Sequence, residues 1–228
     1  MLGCRTMLVS HTKKFIYLKT TKTAGTSVEV FFERYCKPSV EVEAKRHGHP
    51  EQVSAEGIVG FRGVRKGDET WFNHMSGSSV KDQLGEQVWQ SYFKFCVVRN
   101  PFDRLVSFWW MTGCPRDLIP LAASDFTVAR ELFCKWVMVT SEWPYDRNIY
   151  TIEGKPCVDD MIRYEALNDG IVRVCDKIGI EADLDRLPRL KAGARLRPEP
   201  YRDYYEPRAR NRAEAFFAAD LALLGYEF

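Results

Sequence analysis

The chain has 228 residues, 45% hydrophobic and 28% charged, which suits a globular α/β domain and not a disordered chain. Lys and Arg number 33 against 31 Asp and Glu, a formal net charge of +2, so no global basic field points to nucleic acid or membrane and any anion site must be built locally. The seven cysteines are odd in number and lack CxxC spacing, which argues against a disulfide framework or a zinc site and fits a reduced cytoplasmic setting.

The opening MLGCRTMLVSHTKKF is too short and polar for a signal peptide, and nothing around Cys4 argues for lipidation. No apolar run reaches the roughly 18 residues of a membrane span. Phe15-Ile16-Tyr17-Leu18 predicts a buried strand. A polar loop of small residues, 19–27, leads from it into a helix with Val28, Phe31, Phe32 and Tyr35 on one face. Residues 37–70 read as irregular surface structure with one short strand near Ile58-Phe61. Ser76-Gly77-Ser78-Ser79 caps a short helix through Leu84, and Glu86 to Tyr92 forms another.

Phe93 to Val98 is the second strong strand, and Pro101 suits the first turn of the helix after it. Phe126 to Val139 reads as helix, 143–156 as loop, Met161 to Tyr164 as a third strand, and about 166–178 as helix. The final helix runs from about Pro207 to Leu224 and stops at Gly225. Strands alternating with helices predict one α/β domain over 1–228, a central parallel sheet flanked by helices.

The first loop carries the first anion signal. Amides at a helix N-terminus and the helix dipole favour negative charge. Gly25 lets a ligand approach the backbone, Thr23, Thr26 and Ser27 add hydroxyls, and Lys22 adds a point charge. The Walker order is absent, because Lys22 precedes Gly25. Taken alone, the loop also reads as a polar turn capping a helix. The second signal is Arg99 at a strand end with Ser107 two turns into the following helix, where a guanidinium fork grips phosphate. A helix-end salt bridge would use the same arginine.

The strand-to-K-T-A-G-T-S loop resembles the 5′-phosphosulfate loop of sulfotransferases, above all the carbohydrate-type branch. The run Phe95-Cys96-Val97-Val98-Arg99-Asn100-Pro101-Phe102-Asp103-Arg104-Leu105-Val106-Ser107 resembles the family's 3′-phosphate motif. Met161 to Leu167 and the closing segment from Tyr204 to Phe228 are similar to later family segments. The resemblance implies a P-loop-containing nucleotide triphosphate hydrolase-like fold. It implies 3′-phosphoadenosine-5′-phosphosulfate (PAPS) as sulfuryl donor, the bisphosphate PAP as product, and no required metal. Lys22 would sit on the leaving oxygen, with Thr23, Gly25, Thr26 and Ser27 on the 5′-phosphosulfate and Arg99 and Ser107 on the 3′-phosphate.

For the general base, the resemblance favours His74, upstream of the R-N-P strand and just before a short helix. Glu29, in the helix after the first loop, is the main rival. His47 and His49 are weaker rivals, and their H-x-H spacing lacks further metal ligands. His11 lies in the N-terminal tail. The basic stretch 186–202, with Lys191 and Arg195 singled out, could cover the donor phosphates. A solvated basic loop is the bland reading of the same residues. The acceptor expected from the carbohydrate branch is a carbohydrate or glycolipid hydroxyl, with its pocket in 37–70 and 110–155. Trp109-Trp110 and Trp143-Pro144-Tyr145 could stack on sugars or pack in a core. No nucleic-acid partner is expected, and a homodimer is compatible with the sequence. The rivals are a nucleotide kinase and a non-catalytic nucleotide-binding protein on the same fold.

Overall fold

The computed structural model describes residues 7–38, 49–63, 67–190, 193 and 195–228. The first third of the chain forms β1 (Leu8–Ser10), β2 (Phe15–Leu18), α1 (Gly25–Glu33), β3 (Gln52–Val53) and β4 (Gly57–Val59). Then come α2 (Gly77–Leu84), α3 (Glu86–Ser91), β5 (Phe93–Val98), α4 (Pro101–Phe108), α5 (Ile119–Ser124) and α6 (Phe126–Val139). The remainder is α7 (Arg147–Tyr150), β6 (Thr151–Ile152), β7 (Lys155–Pro156), β8 (Asp160–Arg163), α8 (Leu167–Lys177) and α9 (Pro207–Leu224).

Two compact units result, one from Met1–Val98 with Asp146–Leu190, the other from Arg99–Tyr145 with Lys191–Phe228. The first unit holds a six-stranded sheet in the order β3-β4-β1-β2-β5-β8. β2 pairs with β5 and β5 with β8 in parallel, Leu18 opposite Cys96 and Val98 opposite Arg163. Phe15, Tyr17, Phe95 and Val97 alternate onto one face and pack against Val28, Phe31 and Phe32 of α1 and Ile171, Val174 and Cys175 of α8. Ring contacts tie this face together, Tyr17 stacked on Phe95 at 5.2 Å and Phe32 edge-on to Phe95 at 5.0 Å.

The sheet is mixed, which corrects the expectation of a parallel one. β1 pairs antiparallel with both β2 and β4, and β3 with β4. Leu8-Val9 is too short an apolar run to show a period, so the hairpin it makes with β2 reads as a tail in the sequence. Its turn places Lys14 at φ 52° and puts His11 Nδ1 2.9 Å from the Tyr92 hydroxyl.

The second unit is helical, with its own core. Phe102, Leu105, Val106 and Trp109 meet Phe133 and Val137 of α6 and Ala209, Ala213 and Phe217 of α9. Trp109 and Trp110 are core residues, so packing accounts for both. Beyond α4 the chain makes one π-helical turn, Trp109–Gly113. α9 ends on Gly225 in the left-handed conformation, φ 63°, where glycine carries no Cβ penalty. Cys36, Cys96, Cys114, Cys134, Cys157 and Cys175 are free thiols. Among the described residues no helix is long and apolar enough to cross a membrane.

Candidate functional site

In the first unit the carboxyl ends of β2 and β5 lie side by side, the usual place for ligands in open α/β sheets. The chain leaves β2 at Leu18 and turns through residues 19–24 into α1. The Thr20 hydroxyl donates to the Val97 carbonyl and pins this turn to the end of β5. The Thr23 hydroxyl donates to the Thr20 carbonyl at 3.2 Å, so it is spent inside the loop.

Ala24, the residue before α1, is left-handed at φ 58° and offers no side-chain cap. The Ser27 and Val28 amides both donate to the Ala24 carbonyl, at 2.8 and 3.2 Å. The amides of Gly25 and Thr26 open the helix, where no earlier helical carbonyl exists for them. No acidic residue occupies the first turn of α1. The Ser27 hydroxyl accepts from the Leu190 amide at 3.1 Å, which brings the chain just ahead of Lys191 to this loop. Lys191, His47 and Cys4 lie outside the described residues.

Three of the non-glycine residues with positive φ gather here: Lys22 at 61°, Ala24 at 58° and His74 at 51°. Such backbone costs on the order of 1–3 kcal/mol each and concentrates where function demands it. His74 is half-buried. Its Nδ1 lies 2.7 Å from the Lys19 carbonyl oxygen, and its Nε2 lies 3.5 Å from Thr21 Oγ1. A carbonyl only accepts, so Nδ1 is the donor in this contact. The Ser76 hydroxyl accepts from the Ser79 amide at 3.1 Å and starts α2 just beyond His74.

No motif or period in the chain points to the partner of this loop. Asp146, buried, accepts from the Thr21 amide at 2.7 Å and from the Thr21 hydroxyl at 2.8 Å. It follows Trp143-Pro144-Tyr145 in a segment without periodicity, and 125 positions separate it from Thr21.

Glu29 lies on α1 in a buried cluster of ion pairs. Fully buried, it bonds Lys19 Nζ at 2.6 Å and receives the Arg62 guanidinium. Burial would raise its carboxyl, but the Lys19 and Arg62 charges prevail and hold it far below the usual carboxylate range. Ligand atoms of Glu29, Glu33 and His49 lie within 4.8 Å of one another. Arg62 reaches Glu33 as well, at 3.5 Å, and Lys37 holds it at 2.6 Å. A cation there would have to displace these ion pairs. His49 Nδ1 is 2.7 Å from the Pro50 carbonyl.

The second unit carries the other motif. Asn100 caps α4, its side-chain oxygen accepting from the Phe102 amide at 3.0 Å. Its amide nitrogen donates to the Glu227 carbonyl at 2.9 Å, which holds the closing segment against the motif. Arg99 reaches Asp103 Oδ2 through Nε at 2.8 Å and Nη2 at 2.7 Å. Arg195 Nη1 takes Asp103 Oδ1 at 2.9 Å. One carboxylate therefore assembles two guanidiniums from positions 99 and 195. The Arg195 guanidinium also lies over the Tyr204 ring, 5.2 Å from its centroid. Ser107 is buried on α4. Trp143 stacks on Phe216 at 4.8 Å and meets Phe217 edge-on at 5.7 Å, so its ring is packed among other side chains.

The model of the sulfotransferase family matches residues 5–117. That span takes in the loop after β2, His74 and the motif from Arg99 to Ser107. Neither the curated proteins nor the solved structures yield a match.

Proposed function

We propose that this chain, which the sulfotransferase family model matches over residues 5–117, is a sulfotransferase that moves a sulfuryl group from PAPS to a hydroxyl of a carbohydrate or glycolipid. One observation carries the choice of mechanism. His74, at the mouth of the anion loop, is locked at Nδ1 by the Lys19 carbonyl, and so presents Nε2 as a proton acceptor.

The acceptor oxygen attacks sulfur in line while its proton passes to His74 Nε2. The new O–S bond forms as the bond from sulfur to the bridging oxygen breaks, and that electron pair stays on the 5′-phosphate of PAP. The comparison with phosphoryl transfer is an analogy, and it assigns catalysis to position and charge. Lys22 stabilises the leaving oxygen. The Gly25 and Thr26 amides, the Thr26 and Ser27 hydroxyls, and the main chain at Thr23 hold the phosphosulfate. Arg99 and Ser107 take the 3′-phosphate, with Arg195 and Lys191 covering it. Glu29 is the weaker base, because Lys19 and Arg62 already hold its charge in a buried pair. The free thiols support a reducing, cytoplasmic setting. A kinase reading lacks the Walker order, since Lys22 precedes Gly25.

The test is transfer of labelled sulfate from PAPS to a panel of glycosides and glycolipids, beside a calorimetric titration with PAP. We expect transfer and PAP binding by the wild type. His74→Ala should lose about 100-fold or more in transfer and keep PAP affinity within about twofold. Phosphoryl transfer from ATP with no affinity for PAP would overturn the assignment.

A further inference from the structure

Resting on the reading of Arg99 as a ligand of the donor's 3′-phosphate, we propose that Asp103 is a positioning residue that gives the site its preference for a nucleotide carrying that phosphate. Arg99, Asp103 and Arg195 all belong to the second unit. Asn100 caps α4 and Pro101 opens it, which puts Asp103 in the first turn, where a carboxylate suits the helix dipole. Asn100 already serves the Phe102 amide, and the Asp103 oxygens go to two arginines instead.

Oδ2 receives Nε and Nη2 of Arg99, at 2.8 and 2.7 Å, and two contacts fix the plane of that guanidinium as one would not. Oδ1 receives Nη1 of Arg195 at 2.9 Å. Arg195 is also gripped from its own side. Its Nη2 donates to the Glu199 carbonyl, and its guanidinium lies over the Tyr204 ring. The side chains of Arg99 and Arg195 are only 9% and 20% exposed, so water screens their mutual repulsion poorly. The carboxylate offsets that repulsion and sets the spacing of the two cations. Its charge opposes an incoming phosphate, while its geometry favours one. A phosphate gains strong hydrogen bonds only from guanidiniums held where its oxygens arrive. Position outweighs charge here, and an anion strengthens the binding of an anion.

Two substitutions separate the two effects. Asp103→Asn keeps the shape and removes the negative charge, so charge alone predicts tighter phosphate binding. Asp103→Glu keeps the charge and lengthens the stem by a methylene, so charge alone predicts no change. Position predicts a loss in both. The experiment is calorimetric titration of the full chain with PAP and with adenosine 5′-phosphate, which lacks the 3′-phosphate. We expect PAP affinity to fall about tenfold or more in Asp103→Asn and at least about threefold in Asp103→Glu. Affinity for adenosine 5′-phosphate should stay within about twofold in both. In an Arg99→Ala background, adding Asp103→Asn should change PAP affinity by less than about twofold, because the carboxylate acts through that guanidinium.

PAP binding that tightens in Asp103→Asn, or stays the same in Asp103→Glu, overturns the inference. Equal losses for PAP and adenosine 5′-phosphate also overturn it, because they assign Asp103 to the general fold. So does a full additional loss on top of Arg99→Ala. If Asp103→Asn does not fold, Asp103→Glu, with the charge balance of the wild type, decides alone. A loss in Arg99→Ala beside unchanged Asp103 variants removes the role of Asp103 and leaves that of Arg99. If Arg99→Ala binds PAP as well as the wild type, the 3′-phosphate reading itself falls and takes the role of Asp103 with it.

Discussion

The aliphatic stem of Lys19 lies across Gly25: a β-carbon at position 25 would stand 2.8 Å from Lys19 Cε and 2.9 Å from its Cγ. That stem cannot swing away at little cost, because Nζ is tied to the buried Glu29 at 2.6 Å. Gly25→Ala should therefore push on the loop that opens α1. We expect a loss of about 1–3 kcal/mol in stability and at least about tenfold in PAP affinity. Chemical denaturation and calorimetry measure the two separately.

Ala24→Gly should act in the opposite direction on stability. Ala24 is left-handed at φ 58°, a conformation that costs an L-residue roughly 1–2 kcal/mol and glycine nothing. Glycine's extra freedom in the unfolded chain returns about 0.4–1 kcal/mol of that gain. The expected net effect is stabilisation by about 0.5–1 kcal/mol, read as a raised denaturation midpoint. A lowered midpoint would show that the backbone here carries no such strain.

Acid sensitivity should centre on Glu29. Its folded carboxyl lies far below the ordinary value, whereas the unfolded chain takes up that proton near pH 4.3. Between those points the unfolded state binds more protons, so stability rises with pH there and falls as pH is lowered. The contribution is complete above about pH 5 and is lost progressively below about pH 4. Glu29→Gln should be less stable at neutral pH by about 3 kcal/mol or more, since it strands Lys19 and Arg62. It should also lose stability less steeply in acid. Denaturation curves between about pH 3 and about pH 7 make the comparison.

Arg99 makes a two-nitrogen fork on Asp103, and Arg195 closes on the other oxygen of the same carboxylate. A lysine at 99 keeps the charge and loses the fork. We expect Arg99→Lys to weaken PAP binding about tenfold and Arg99→Ala about 100-fold. Equal affinity in wild type and Arg99→Ala would remove position 99 from the donor site.

Much of this molecule was readable in advance where local rules dominate. The apolar run of β5, the Ser76 cap, the long helices 126–139 and 207–224 and the terminal glycine all emerge at the expected positions. Each is specified by neighbours within a few residues. The loop after β2 and the Arg99 to Ser107 stretch were legible for the same reason. β1 was not, because three residues carry no period and its partners β2 and β4 decide its fate. Asp146 was invisible because its meaning comes from Thr21, far away in sequence. Glu29 shows the converse. Its place on the helix after an anion loop invites a chemical role, and only the convergence of Lys19 and Arg62 reveals a buried ion pair.

The two units interleave along the chain: each is assembled from two separate stretches, with changes of unit after Val98, Tyr145 and Leu190. During synthesis α4 and α6 emerge from the ribosome well before α9, whose Ala213 and Phe217 complete their core. Until the last forty or so residues are made, Trp109 and Phe133 must wait with apolar surface uncovered. A nascent chain stalled short of α9 should thus be a client for chaperones, whereas the sheet unit is already complete by Leu190.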